Sequence, residues 1–456
     1  MDLTKSDNQK TVAADDRTAE SVFVAHPSFG QAFRFWLKLG FISFGGPAGQ
    51  ISIMYTELVE KRRWVSNERF LNALNYCMLL PGPEAQQLAA YIGWLLHKIP
   101  GGLAAGIMFL APAMFILFAL SYIYAALGDI FWVAALFGGL KAAVMAVVFA
   151  AVLKIGKKAL KNAVMVMLAA VSFVCIFFLK LPFPLIVFAA GLIGLAGSVI
   201  YPRFFLVIKE KEIGEFEKGY VRICEAEDTC HIDPSRKRDA WLLAIFLVLW
   251  LLPMLMLNVL VSAPVFHREG LFFTKAAFLT FGGAYAVLAY IAQAGVGQFG
   301  WLTAPQMMDG LGLAETTPGP LIMVVQFVGF MAGWNYHGSF SPLAGGIIGS
   351  LTASYFTFLP CFLFIFLGGP YIEKFRGNKK LTGALSSITA AVVGVILNLA
   401  VWFGLHVLFP ADGGFNGMAA VIGLGSFIAI HWAGLSIIRV ILIAGGVGVL
   451  RGLIGA

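Results

Sequence analysis

Apolar segments long enough to cross a lipid bilayer follow one another along this chain from residue 33 onward, and no other feature constrains its fold as much. Of the 456 residues, 59% are hydrophobic and 12% are charged, which is about half the charged fraction of a soluble domain. So much apolar surface exceeds what a soluble core can bury. The sequence therefore predicts an all-α polytopic membrane protein.

Six apolar segments precede a polar stretch and seven follow it. The first six are 33–58, 69–99, 101–126, 131–153, 160–179 and 182–201, and the later seven are 241–265, 271–298, 304–335, 343–368, 382–408, 416–433 and 434–455.

Two polar regions flank the first group of segments. Residues 1–32 lack a signal-peptide pattern and are interpreted as a disordered cytoplasmic tail. Residues 203–240 are interpreted as a charged cytoplasmic linker. The net charge of +8 is spread over loops between apolar segments. This pattern indicates contact with a membrane surface and no nucleic-acid partner.

The sequence gives no reason to expect a cofactor or a metal. Cys224, Cys230 and His231 share the polar linker, but their spacing matches no specific zinc pattern. The chain contains no GxxxxGK[ST] phosphate-binding motif. An ion gradient or the membrane potential must therefore drive any active transport.

An internal repeat divides the chain into two halves. The sequence FGG at residues 44–46 recurs at 281–283, and PGP at 81–83 recurs at 318–320, both shifted by 237 positions. Landmarks that keep one offset over about forty residues indicate a tandem duplication.

The number of segments predicts that the second half is inverted. Six segments in the first repeat (33–202) match six in the second (266–456), and the segment 241–265 is left as an unpaired transmembrane helix. One extra crossing reverses the orientation of the second repeat. Inverted-topology repeats are typical of secondary transporters, whose sites lie near the bilayer midplane at broken helices.

The positive-inside rule puts the N-terminus in the cytoplasm, because the basic loop 154–161 (KIGKKALK) is then internal. The basic residues 61–63 would be external if 33–58 crossed the bilayer fully. They become internal if 33–58 and 69–99 are re-entrant hairpins with tips at the GG and PGP motifs. Hairpins and broken full crossings both stay open as interpretations.

The broken segments predict an anion site. Proline ends one helix and starts the next, and a helix start presents free N–H groups and a positive dipole end. A single break would be interpreted as a structural kink, but two copies, each with an upstream FGG, favour a substrate site. The predicted residues are Gly45, Gly46, Pro47, Pro81, Gly82, Pro83, Gly282, Gly283, Pro318, Gly319 and Pro320.

Neutral polar side chains near the breaks are candidate ligands for an oxyanion. Gln86, Gln87 and Gln326 could donate amide hydrogens without holding the anion too tightly, and Thr316 and Thr317 offer hydroxyls. For each of them a purely structural role is the alternative.

Charged residues are candidates for binding and for coupling. Arg34 and Lys38 lie one turn apart and could neutralise an entering dianion, or could reach lipid headgroups. Lys141 lies within an apolar segment. Glu84 and Glu315 flank the two breaks and could carry protons, although a carboxylate at a helix start is also a good cap.

Four motifs resemble those of the chromate ion transporters of prokaryotes, in their long-chain two-domain form. They are FGGPAGQI (44–51), PGPEAQQLAAYIGW (81–94), FGGAYAVLAYI (281–291) and TTPGPLIMVVQFVGF (316–330). The resemblance covers residues 30–455. It implies a multi-pass protein of the prokaryotic inner membrane that exports chromate, with sulfate as a look-alike substrate.

The expected function is alternating-access export of chromate between the breaks of both halves. Three alternatives stay open: inward transport or exchange of sulfate or another oxyanion, an anion channel, and a membrane-embedded enzyme. An enzyme such as a chromate reductase would need a cofactor motif, which the sequence lacks. A homodimer is compatible with this kind of fold.

Overall fold

A computed structural model of the chain describes residues 26–44, 46–128, 130–206, 234–259, 261, 263–281, 283–371, 379–410 and 414–455. All secondary structure within these ranges is helical. The predicted site residues Gly45 and Gly282, most of the predicted tail and residues 207–233 of the linker lie outside the described residues. The same holds for Cys224, Cys230 and His231.

Seventeen α-helices make up the described part of the chain. They are α1 (Phe29–Ile42), α2 (Gly46–Tyr55), α3 (Asn67–Leu79), α4 (Glu84–Leu127), α5 (Phe131–Ala159), α6 (Ala163–Phe177), α7 (Phe183–Ile200), α8 (Pro202–Phe205), α9 (Arg236–Val259), α10 (Pro264–Leu279), α11 (Ala284–Ala292), α12 (Ala304–Thr316), α13 (Val324–Asn335), α14 (Pro342–Gly368), α15 (Lys379–Leu408), α16 (Gly417–His431) and α17 (Ile437–Gly455).

Several of these helices are long and apolar enough to cross a membrane. In the described residues, six meet this criterion: α4, α5, α7, α9, α14 (with the turn that follows it) and α15. Three shorter apolar helices, one of them extended by a preceding turn, cover Ala163–Phe177, Leu321–Asn335 and Gly417–His431. The prediction of an all-helical, multi-pass membrane protein is confirmed.

The order of helices follows the sequence repeat. Helices α1, α2 and α3 correspond to α10, α11 and α12, and α5, α6 and α7 correspond to α15, α16 and α17. Both α2 and α11 continue into a six-residue π-helical turn, Thr56–Lys61 and Gln293–Gln298, which are 237 positions apart. Within the described residues α9 has no counterpart in the first half.

The long helix α4 corresponds to two helices of the second half. Its backbone leaves helical geometry at His97 and Lys98, so its two parts match α13 and α14. Pro100 lies two residues after this kink.

The two halves pack on each other through equivalent surfaces. Helix α7 packs on α15 of the second half, and α17 packs on α5 of the first. A Cβ built on Gly194 would lie 2.4 Å from the carbonyl oxygen of Gly383, and one on Gly448 would lie 2.4 Å from that of Ala135. These contacts correspond to each other in the repeat. Such reciprocal contacts are typical of a two-fold relation between the packed units.

Helix α9 lies on the outside of the second half. Its Trp250 Nε1 donates a hydrogen bond to Thr274 Oγ1 of α10 at 2.9 Å, and Tyr355 of α14 donates to the carbonyl oxygen of Leu249 at 2.6 Å. The helix begins at Arg236, within the predicted linker. The neighbouring helix α10 begins at Pro264, and proline is common at the first position of a helix.

We expect Gly448→Leu to lower the thermal stability of the protein. The added side chain would force α17 away from α5, and overpacking of this kind costs about 1–3 kcal/mol. The measurement is the unfolding temperature of the purified protein in detergent. Gly446→Leu is the matched control, because Gly446 lies on the same helix with no atom within 4 Å of its added Cβ. Equal effects of the two substitutions would contradict this packing.

Candidate functional site

Each of the four predicted breaks interrupts a helix at a glycine with positive φ. The φ values are +72° at Gly46, +127° at Gly82, +100° at Gly283 and +99° at Gly319. This left-handed region is open to glycine and unfavourable for other residues. Gly46 corresponds to Gly283 in the repeat, and Gly82 corresponds to Gly319. Both halves therefore break their helices by the same backbone device.

The breaks of one half bind the breaks of the other through the main chain. The N–H of Gly82 donates to the carbonyl oxygen of Thr280 at 2.9 Å, and the N–H of Gly319 donates to the carbonyl oxygen of Ser43 at 2.8 Å. Ser43 and Thr280 are 237 positions apart, as are Gly82 and Gly319. We call these two reciprocal contacts the crossed hydrogen bonds.

The glycine of each PGP motif also packs on a long helix of the other half. A Cβ on Gly82 would lie 2.9 Å from Cys361 Sγ of α14, and one on Gly319 would lie 2.7 Å from Cβ of Ala113 in α4. Ala113 and Cys361 also correspond in the repeat, at a shift of 248. The four breaks thus meet between α4 and α14.

Gln50 ties two breaks together, although it was not predicted as a site residue. Its Nε2 donates to the carbonyl oxygens of Gly319 at 2.6 Å and Ser43 at 3.3 Å, while the side chain is fully buried. Its Oε1 has no hydrogen-bond partner among the described residues. The signal that could have identified it is a lone amide seven residues after Ser43 in an apolar helix.

Two of the three predicted glutamines bond to carbonyl oxygens near the breaks. Gln87 Nε2 donates to the carbonyl oxygen of Pro81, and Gln326 Nε2 donates to that of Met114 in α4, both at 2.8 Å. Each bond uses the amide nitrogen, and each Oε1 is left without a partner in the described part of the chain. These two side chains thus stabilise the breaks.

Gln86 differs from them, because neither polar atom of its amide has a hydrogen-bond partner among the described residues. The side chain is fully buried in the first turn of α4, directly after the PGP motif. Its Nε2 would lie 2.9 Å from a Cβ on Gly106, so it lies against the second part of the same helix. A buried amide without partners costs about 1–3 kcal/mol, which favours a role in binding a ligand.

The predicted hydroxyl groups bond to their own helix. Thr316 Oγ1 donates to the carbonyl oxygen of Leu313 at 2.8 Å, and Thr317 Oγ1 donates to that of Ala314 at 3.0 Å. Both hydroxyls satisfy carbonyl groups at the end of α12 and keep free acceptor capacity.

The two predicted carboxylates lie at different breaks. Glu84 is the first residue of α4, and Glu315 Oε1 accepts a hydrogen bond from Tyr285 OH at 2.5 Å. Neither acid forms an ion pair with a described residue.

Lys141 forms an ion pair with Asp309, an acid that the sequence analysis missed. Lys141 Nζ lies 3.3 Å from Asp309 Oδ2, and Tyr124 OH donates to the same oxygen at 2.8 Å. Asp309 is buried and its Oδ1 has no partner among the described residues, while the Lys141 side chain is 29% exposed. The pair joins α5 and α4 of the first half to α12 of the second. A single acid in an apolar helix gave no pattern that predicts this contact.

Arg34 and Lys38 lie on the exposed face of α1, and the opposite face packs on α4. Neither forms an ion pair with a described residue. Among the described candidates, Gly82 and Gly319 and the glutamines and threonines lie at or next to the breaks, whereas Arg34 and Lys38 form no hydrogen bond with them.

We expect Gly319→Ala to destabilise the protein more than Gly283→Ala. Both substitutions force an alanine into nearly the same positive φ, but an added Cβ at Gly319 also meets Ala113, whereas none lies within 4 Å of Gly283. The unfolding temperature in detergent measures the difference. Adding Ala113→Gly to Gly319→Ala should recover the part due to contact. Equal destabilisation by both single variants would contradict the crossed arrangement.

We expect Lys141→Met to destabilise the protein more than Asp309→Asn. The first change leaves a buried carboxylate without its cation, whereas after the second the partly exposed Lys141 still faces an amide oxygen that accepts its hydrogen bond. The double variant should be more stable than Lys141→Met alone. A double-mutant cycle on unfolding temperature tests the pair, and strictly additive effects would rule out the contact.

A bundle of apolar helices, broken at glycines that meet around buried amides, defines a multi-pass membrane protein with a central polar site. The chain belongs to the chromate transporter family: the family model "Chromate transporter" matches residues 30–195 and 269–449, which covers both halves.

Curated relatives carry related names. The chain is 31% identical over 409 residues to the "Chromate transport protein" of Pseudomonas aeruginosa, covering 87% of this chain and 86% of the relative. It is 26% identical over 411 residues to the "Probable chromate transport protein" of Synechococcus elongatus, covering 89% and 93%. No solved structure was found to match. The names of the relatives imply a transport protein rather than an enzyme.

Proposed function

We propose that this protein is a secondary transporter that exports chromate from the cytoplasm by alternating access. The observation that carries the proposal is the set of crossed breaks, with the unpartnered amide of Gln86 at the start of α4. Membership of the chromate transporter family supports chromate as the substrate.

The proposed topology is an inverted repeat. Helix α1 has 14 residues, and α2 with its π-helical turn has 16, so each arm is about 21–24 Å long at 1.5 Å per residue. Such an arm reaches the middle of a ~30 Å hydrocarbon layer without crossing it. We therefore propose two re-entrant hairpins in each half, at residues 29–61 and 67–98 in the first and at 264–298 and 304–335 in the second. The unmatched helix α9 then inverts the second half, as in other transporters with broken helices.

The proposed site binds a tetrahedral dianion with neutral donors. The first N–H groups of α4 and of the turn that starts at Leu321 lack partners within their own helices, and the helix dipole favours negative charge there. Gln86 adds a side-chain amide. Because no formal cation forms part of this centre, the affinity for the anion is moderate and the anion can dissociate again. Sulfate has the same shape and charge, so it should compete.

The driving force comes from the membrane potential, an ion gradient or both. At about 2.3 kcal/mol per charge per 100 mV, expelling a dianion past an inside-negative potential releases about 4.6 kcal/mol per 100 mV. We propose Glu84 and Glu315 as the acids that couple proton entry to anion exit, since each lies at a PGP break. Lys141 and Asp309 form the ion pair that such coupling could break.

The orientation of the protein follows from its basic loops. We propose an inner-membrane protein with a cytoplasmic N-terminus, so that the loop 154–161 and residues 61–63 are internal. Helices outside the crossed centre, α9 in particular, face lipid, and a homodimer through such faces is compatible with this arrangement.

We expect inside-out membrane vesicles to accumulate labelled chromate, because they load what the cell expels. Unlabelled sulfate should reduce the rate, and an imposed pH gradient should change it if protons are coupled. Gly82→Leu or Pro83→Ala should abolish accumulation. Loading of right-side-out vesicles alone would show an importer, and passive flux that follows only the chromate gradient would show a channel.

We expect Gln86→Leu to abolish chromate transport while leaving stability unchanged or raised. A buried amide without partners costs free energy, so an apolar side chain of similar size should fit at least as well. Gln87→Leu is the matched control: it removes the bond to Pro81 and should lower the unfolding temperature. Full transport by Gln86→Leu would contradict the proposed site.

A further inference from the structure

Lys38 and Lys275 are the one charged pair that recurs between the halves around the breaks. At the shift of 237, the eleven charged residues between 26 and 98 have ten uncharged counterparts and a single charged one, Lys275. The lysine recurs together with the FGG motif that begins six positions later. The recurrence places one lysine at the same position relative to the break in each half.

The two lysines have equivalent surroundings in the fold. Lys38 lies on α1 five residues before Ser43, and Lys275 lies on α10 five residues before Thr280. The carbonyl oxygens of Ser43 and Thr280 accept the crossed hydrogen bonds. Both lysines are exposed, and neither forms an ion pair with a described residue. Each half thus has one ammonium without a paired carboxylate close to the crossed centre. Glu57, which acts on Lys38 at longer range, is itself paired with Lys61 and Arg62.

The depth of these lysines argues against contact with lipid. Lys38 lies nine residues after the start of α1 and Lys275 eleven after the start of α10, which is about 14–16 Å along each helix. That distance is about half of a ~30 Å hydrocarbon layer. An ammonium facing lipid there costs about 2.5–3.5 kcal/mol or more, so intramembrane lysines usually line a polar cavity.

We infer that Lys38 and Lys275 form two side-specific loading sites for the tetrahedral dianion, one on each side of the crossed centre. This inference rests on the proposed function. In an inverted repeat, equivalent residues open to opposite sides of the membrane, so Lys38 meets the anion from the cytoplasm and Lys275 meets it from outside. A compact ammonium attracts an oxyanion as a point charge and releases it readily. From either lysine the anion then moves to the neutral hydrogen-bond donors of the centre, which lie between the two loading sites.

The two loading sites differ in their second cation. Arg34 lies one turn before Lys38, whereas the corresponding position before Lys275 is Leu271, and Arg268 is two turns away from Lys275. Two adjacent cations attract a dianion more strongly than one. The cytoplasmic site should therefore have the higher affinity, which suits loading inside and release outside.

The test compares chromate presented to each face. Initial rates are measured with inside-out and right-side-out vesicles that carry the wild type, Lys38→Met or Lys275→Met. Lys38→Met should raise KM about tenfold only in inside-out vesicles, and Lys275→Met should do so only in right-side-out vesicles. Lys→Arg at each position should recover most of the affinity. Lys161→Met, in an exposed loop between α5 and α6, is the control and should change neither KM.

The outcomes separate this inference from the proposed function. If the wild type is active and each variant raises the KM equally at both faces, or neither variant changes the KM, the loading sites are overturned. Chromate transport as the proposed function then still stands. A wild type that moves no chromate in either vesicle orientation would overturn the proposed function itself. The unfolding temperature of each variant excludes a loss of structure as the cause.

Discussion

The crossed hydrogen bonds are the interaction on which the rest of the arrangement depends. A helix that breaks inside a membrane leaves N–H and C=O groups that lipid cannot satisfy, at a cost of several kcal/mol for each. Here Gly82 and Gly319 each donate to a break in the other half. Each half thus supplies the acceptor for a main-chain N–H group at a break of the other half.

Amide side chains donate hydrogen bonds to carbonyl oxygens around the breaks, and the two acids Glu84 and Glu315 flank the PGP motifs. The N–H groups that the crossed bonds do not use point from the starts of two helices, and Gln50, Gln87 and Gln326 fix the carbonyl oxygens nearby. Gln86 alone has both polar atoms without described partners. A site of neutral donors discriminates by shape and hydrogen bonding. In the proposed mechanism the charge needed to attract a dianion lies outside the centre, on lysines that meet it first.

Much of this could be predicted from the sequence, and the part that could not has a physical cause. The helical class, the family and the four breaks follow from hydrophobic runs, the 237-residue shift and the Gly and Pro motifs, which act locally. The partners of the breaks do not follow, because Gly82 bonds to Thr280 across about two hundred residues and nothing in either motif identifies the other. Gln50 and Asp309 were missed for the same reason: one polar residue in an apolar helix has no periodicity. The inverted orientation, the hairpins and the substrate site stay predictions.

The most direct test of the central claim is an experimental structure of the protein with chromate bound. We expect a tetrahedral density between the first turn of α4 and the turn at Leu321, within hydrogen-bond distance of the Gln86 amide. That result would establish the crossed breaks as the substrate site. A density bound elsewhere, with Gln86 still buried and unpartnered, would show that the crossed breaks do not bind the substrate.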